Sequence, residues 1–390
     1  MSNVASSQST LEIFSISIQA IYQPIRKRAQ DMSGTKSIDS TDSSTQFEID
    51  ASRGFAEWFA EKHFSLALTT YQAGKIVFLG ANHKGNLWIH NRNIGRCLGM
   101  AVNSNSLWIA SDSQLYRFQN ILDEGVVTSE EVDTLYAPRL SFFTGDLDIH
   151  DIALDSEDQP VFVNTLFNCL ARTSNGASFQ SIWKPPFITK LIAEDRCHLN
   201  GLAMRDGLPA YVTASSKSDV FDGWRDHRES GGIVLDVTTD EVVCDGLSMP
   251  HSPRWHDGKL WLHNSGKGEF GYVDFTSGQF EPVAFCPGYL RGLDFFGSIA
   301  VVTLSLPRSN KTFSGLPIED RLQSEAIAPR CGIYFIDLNT GGVLHSLVIH
   351  GVVTELYDVA ILKGIRKPAA ISPLSNDIKR VISASELPTI

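Results

Sequence analysis

The sequence predicts an all-β fold, a six-bladed β-propeller closed by N- and C-terminal strands in one blade and preceded by a disordered or helical N-terminal extension. Three observations predict it. A phrase recurs about every fifty residues: polar residue, small or acidic residue, apolar run, turn, second apolar run. Its copies read LGMAVNSNSLWIAS (98–111), HDIALDSEDQPVFVNT (150–165), NGLAMRDGLPAYVTAS (200–215), HSPRWHDGKLWLHNS (251–265), RGLDFFGSIAVVTLS (291–305) and YDVAILKG (357–364). Further strand-like runs such as GGIVLDV and CGIYFIDL follow before the next copy, which makes four short strands per repeat, the content of a propeller blade. Finally, the two ends of the chain are complementary: the last copy supplies one strand, and residues 65–92 read as three strands lacking an inner one. Joining them in one sheet removes the free edges that invite aggregation.

The elements follow in order. Residues 1–52 form the extension, with an amphipathic helix expected over 10–30 and a Ser/Thr/Asp-rich linker, SGTKSIDSTDSSTQ, at 33–46. The segment RGFAEWFAEKHF (53–64) places Phe55, Trp58 and Phe59 on one helical side, where it braces the closing blade. The propeller spans 53–382, and 383–390 is a tail. Two insertions, 216–230 and 306–330, both follow the second strand of their repeats and are expected over the same face as lids.

Composition agrees with one large β domain. Of 390 residues 43% are hydrophobic, 30 Gly and 16 Pro suit a loop-rich chain, and 22 Phe with 7 Trp suit packing between sheets. A formal charge of −11 with no basic stripe argues against nucleic acid as a partner. The six cysteines are scattered without a CxxC pair, so reduced thiols and a cytoplasmic location are expected. The apolar LEIFSISIQAIY precedes its basic cluster and is too short to span a bilayer, so no membrane span is expected. There is no P-loop, GxSxG, HExxH or dinucleotide-binding motif, so no nucleotide cofactor is expected.

Residues at equivalent repeat positions converge on a propeller axis. At the starts of the inner strands stand His150 with Asp151, Asn200 preceded by His198, His251 with Ser252, Arg291, and Tyr357 with Asp358. The following strands end in Asn164, Thr213, Asn264, Ser305 and Thr69 or Thr70, which suggests a polar funnel binding a small organic molecule. The candidate catalytic residues are His150, His198, His251, Arg291 and Tyr357. Candidate binding residues are Asn164, Asn200 and Asn264, with Trp224 and Phe313 from the lids. Three histidines from successive blades are compatible with a divalent metal, with proton transfer, or with simple bonding to the channel backbone. Asp151 and Asp358 fit acids that tie blades together by accepting N–H groups. Arg291 needs an anion, either one of those acids or a substrate carboxylate. Asp195 and Arg196 read as an ion pair that positions His198.

The phrases GDLDIHDIALD, VFVNTLFNCLA, EDRCHLNGLAM, SMPHSPRWHDGKLWLHNSGKGEFGYVD, FCPGYLRGLDF and TFSGLPIEDR closely resemble a bacterial family of conserved proteins with a propeller-like fold. The resemblance covers about residues 53–382 and transfers no catalytic residues. It extends to the cyclase of cyanobacterial scytonemin pigment biosynthesis, which implies ring closure on an indole β-keto acid with loss of carbon dioxide. In that reading Arg291 holds the carboxylate, His150 and His251 move protons, and Trp224 or Phe313 excludes water. A more distant similarity, to six-bladed calcium-dependent lactonases and organophosphatases, implies a metal-assisted hydrolase. Asn164, Asn200, Asn264 and Asp358 would imitate part of its calcium shell, although the matching Glu is missing. A third reading is a non-catalytic scaffold.

Overall fold

Apolar runs divided by Gly, Asp, Asn and Ser turns make the chain form short strands, three to ten residues long, that pair mostly antiparallel within each blade. A computed structural model describes residues 47–82, 84–307 and 314–384. The protein is a six-bladed β-propeller. The inner strands of blades 1 to 6 are Met100–Val102, Ile149–Leu154, Leu199–Arg205, Pro250–His256, Tyr289–Phe296 and Val359–Lys363. Each touches the next around the axis, and the sixth touches the first. Blade 6 combines Val359–Lys363 with Phe64–Thr70, Lys75–Ala81 and Leu87–Asn93, so the two ends of the repeat region do complete one sheet.

Each junction between blades carries a hydrogen bond at the same register. The carbonyls of Leu98, Leu199, Leu290 and Leu356 accept from Thr69 Oγ1, Thr165 Oγ1, Ser265 Oγ and Ser305 Oγ of the preceding blade, at 2.6–3.0 Å. The Pro250 carbonyl accepts from Asn200 Nδ2 at 2.9 Å, and that of Ile149 from the Gly99 N–H at 3.3 Å. The next residue in each strand therefore occupies one ring around the axis: Gly99, His150, Asn200, His251, Arg291 and Tyr357. One step further down, Asp151 and Asp358 accept the N–H groups of Leu202 and Met100 at 3.0 and 2.9 Å, which is the blade-tying role expected of them. Glycine is needed at this level. A Cβ on Gly201 would lie 2.3 Å from Pro253, and one on Gly292 2.6 Å from the Val359 nitrogen.

The apolar faces of adjacent blades form the core. Between blades 5 and 6 it is extended by helix α1 (Phe55–Glu61), whose Phe55 and Phe59 are buried and whose Trp58 packs against Phe335. Residues 47–51, placed in the extension by sequence, differ from that expectation. They pair antiparallel with Val343–Gly351 as an added outer strand of blade 5. The alternation Phe47-Glu48-Ile49-Asp50-Ala51 carries this strand, but five residues give too short a pattern to stand out. Pro368–Ala370 likewise pairs, in parallel, with Thr134–Phe143 of blade 1. The two added strands thus cover outer edges on both sides of the closing blade. The expected helix at 10–30 and linker at 33–46 lie outside the described residues. All six cysteines are buried and unpaired. Among the described residues no helix is long and apolar enough to cross a membrane.

Candidate active site

Where the inner strands of blades 2 to 5 start, each carries a β-bulge, at His150–Asp151, Asn200, Ser252–Pro253 and Arg291–Gly292. A bulge breaks the strict in–out alternation and re-aims the side chains beside it. Just before three of these bulges, Asp148, His198 and Met249 take left-handed backbone with φ of 51°, 51° and 47°. Glycine would adopt that conformation at less cost, yet all three positions carry side chains and all three line one cavity.

The cavity lies on the axis and has a volume of about 150 Å³. His150, Arg291 and Tyr357 contribute to its wall from the ring, His198 and Asp195 from the approach to blade 3, Tyr71 from blade 6, and Trp224 with Arg225 from the first insertion. His198 Nδ1 lies 2.7 Å from Asp195 Oδ2, and the imidazole stacks on Trp224 with ring centroids 4.1 Å apart. With the Asp195 carboxylate as its acceptor, Nδ1 carries the proton and Nε2 is left for proton exchange. His150 Nδ1 lies 2.9 Å from both the Asp148 carbonyl and Thr165 Oγ1. The Thr165 hydroxyl is already donated to Leu199, so His150 too is protonated at Nδ1. Burial, only partly opposed by Asp148, pushes its pKa down to about 4, and the ring is neutral at pH 7. Burial would raise the Asp148 carboxyl, but His150, His198, Arg96 and Arg291 together hold it below its usual value.

Arg291 is buried, with its Nη1 donating to His251 Nε2 at 2.6 Å. His251 Nδ1 in turn donates to the Met249 carbonyl at 2.8 Å. Burial, followed by the Arg291 charge, holds the His251 pKa well below the imidazole range. The Tyr289 and Tyr357 rings lie 4.8 and 4.9 Å from the guanidinium carbon, and Glu355 approaches to 4.0 Å.

Several sequence expectations are corrected here. His251 reaches Arg291 instead of standing as a proton carrier, and both its nitrogens are engaged, so the three histidines do not converge on a metal. Among the described residues no group of three or more His, Cys, Asp or Glu is arranged to hold one. Asn164 and Asn264 cap turns, accepting the N–H groups of Phe167 and Ser248 at 3.1 and 2.7 Å, and Asn200 donates its amide nitrogen to Ser215 Oγ and the Pro250 carbonyl. Asp358 accepts from Met100 and Val359, so three of the four residues of the expected calcium shell are turned to backbone N–H groups. Arg196 pairs with Glu194 and Asp219, not with Asp195, because Asp195 turns to His198. Phe313 lies outside the described residues. Sequence reasoning missed Asp148, Tyr71, Met249 and Arg225. Asp148 lies two residues before His150 and Arg225 next to Trp224, so position beside a singled-out residue was the available signal.

A family model described as a domain of unknown function, DUF4915, matches residues 53–371. The chain belongs to that family. Every residue of the cavity wall falls within the DUF4915 match. No curated protein matches the chain. Among solved structures, this DUF4915 propeller is similar to a chain of a nidogen/laminin complex at 11% identity and a TM-score of 0.47, covering 77% of this chain and 99% of that one. It is also similar to a catalytically inactive virginiamycin B lyase from Staphylococcus aureus with quinupristin, at 11% identity and a TM-score of 0.37, covering 78% and 99%. A computationally designed protein, Ika8, matches at 12% identity and a TM-score of 0.32, over 75% and 76%.

Proposed function

We propose that the axial cavity is the catalytic site of an enzyme acting on a small keto acid, with the Asp195–His198 pair moving a proton next to the carbonyl and Arg291 gripping the carboxylate. The Asp195–His198 pair carries this reading: a carboxylate 2.7 Å from Nδ1 fixes the tautomer, stabilises the imidazolium that forms, and leaves Nε2 as the base. His198 Nε2 takes the α-proton, and the C–H electron pair becomes the enolate. The enolate carbon then attacks a second carbonyl of the same molecule, forming a C–C bond, and the new alkoxide recovers the proton from the imidazolium. Where a carboxylate stands β to a ketone, its C–C bond breaks to release carbon dioxide, and the electron pair is held as an enolate that takes its proton from water. Neutral His150 offers Nε2 as an acceptor for a substrate hydroxyl, and Trp224 keeps water from the imidazole. Ring closure on an indole β-keto acid in pigment biosynthesis, implied by the sequence resemblance, is one member of this class. The metal-assisted hydrolase has less support, because Asn164, Asn264 and Asp358 of its expected shell already accept backbone N–H groups.

Solvent-deuterium exchange into a panel of α- and β-keto acids, followed by NMR, tests the reading. Wild-type protein is expected to label the carbon next to the carbonyl. His198→Asn should slow labelling by about 10²–10⁴-fold, the usual share of general acid–base catalysis, without lowering the melting temperature in proportion. Arg291→Lys should raise KM about tenfold, since an ammonium cannot reproduce the paired guanidinium donors. Equal labelling by wild type and His198→Asn would rule the mechanism out.

A further inference from the structure

Two arginines of the framework are held by carboxylates. Arg254 is gripped by both oxygens of Asp151 at 2.7 and 3.0 Å, and Arg196 bonds Glu194 and Asp219 at 2.7–2.9 Å. Arg291, the cavity arginine, donates to an imidazole at 2.6 Å and lies 4.0 Å from Glu355. That imidazole is 3% exposed and is locked by its bond to the Met249 carbonyl, which puts the proton on Nδ1 and the lone pair of Nε2 toward the guanidinium. The Met249 backbone that accepts this bond is itself turned by left-handed geometry, and the bulge at Ser252–Pro253 follows immediately.

From this geometry we infer that His251 is a positioning residue for Arg291: it fixes the guanidinium's direction with a neutral acceptor, so that aiming the arginine adds no negative charge at the anion subsite. The inference rests on the keto-acid reading above. A carboxylate at residue 251 would orient Arg291 equally well and pair with it more strongly, but it would also compete with a ligand carboxylate for the same charge. Glu355 at 4.0 Å and Asp148 nearby already place acid charge around the guanidinium, and His251 adds none.

The test compares His251→Gln with His251→Glu, which share a shape and an acceptor oxygen and differ by one charge. Binding of pyruvate, acetoacetate and phenylpyruvate, each beside its methyl ester, is measured by calorimetry, with melting curves for every variant. Wild type should bind at least one acid at least tenfold more tightly than its ester. The Gln variant should stay within about threefold of wild type, and the Glu variant should lose at least tenfold while melting no lower than Gln. If Glu and Gln bind that acid equally, this inference fails while the keto-acid reading stands. If wild type prefers no acid over its ester, the reading itself fails and this inference with it. Should a variant not fold, ¹⁵N NMR of the wild-type imidazole decides: a neutral ring protonated only at Nδ1 is expected, and an imidazolium at pH 7 would overturn the proposal.

Discussion

One arginine, Arg254, takes the axial position below the cavity, where Asp151 grips it and Asp358 lies 3.8 Å away. Each acid also receives a backbone N–H across a blade junction, so the ion cluster and the ring share the same atoms. Removing the cation leaves acids buried without compensation, which costs more than an intact pair contributes. Arg254→Met is expected to lower unfolding free energy by about 3–5 kcal/mol in urea titrations, and adding Asp151→Asn should restore part of that loss. A loss below about 1 kcal/mol would show that the cluster is relaxed by water. The same scale explains which residues were misread. A polar residue at a strand end reads alike whether it caps a turn, as Asn164 and Asn264 do, or faces a ligand.

Among elements, the insertions and the N-terminal segment have separate roles. The first insertion contains a 3₁₀ turn, Gly223–His227, that lays Trp224 on His198. The described part of the second contains helix α2 (Pro317–Ser324), whose Ile318 and Leu322 join Leu316, Trp224, Met249 and Tyr289 in one apolar cluster. Arg228 Nη2 also donates to the Ser314 carbonyl at 2.8 Å, so the two insertions support each other. α1 instead buries Phe55 and Phe59 in the core between blades 5 and 6. Deleting residues 1–46 is expected to move the melting temperature by less than about 2 °C. Deletion through residue 63 removes an edge-covering strand and two buried phenylalanines, each worth about 3 kcal/mol or more, and should lower it by about 10 °C or more. Calorimetry of both truncations checks this, and equal melting would show that α1 is dispensable to the core.

At the scale of the whole molecule, burial of histidines near the axis and between sheets makes stability depend on acid. Burial pushes His90 and His150 down to about 4 and His263 to about 3, and takes His251 well below its ordinary value. Between the unfolded value of about 6.5 and these folded values, the unfolded chain binds protons that the native chain does not, so stability falls as pH drops through that window. Asp358 works the other way: burial raises it to about 7, and its proton, kept only by the folded state, favours folding at pH 4–7. Burial raises Asp294 in the same sense, but four imidazoles outweigh two carboxyls. The melting temperature should therefore fall on acidification from pH 7 to pH 5, with a shallower slope in His263→Gln, and a flat or rising profile would contradict the neutral-histidine assignment.

The blade number, the shared closing sheet and the ring of His150, Asn200, His251, Arg291 and Tyr357 were legible in the sequence, because a repeat fixes register and register fixes which residues share a level around the axis. The short strand at 47–51 was not, since five alternating residues carry too little pattern to separate from a linker. What each ring residue does was decided only by the tertiary structure. His251 and His150 look equivalent in the repeat, yet one accepts from Arg291 and the other borders the cavity beside His198. Hydrogen-bond partners come from neighbouring blades up to hundreds of residues away, and bulges turn side chains by amounts that periodicity does not record. Pattern thus determines where a residue stands, while its charge state and chemistry depend on contacts that exist only once the ring has closed.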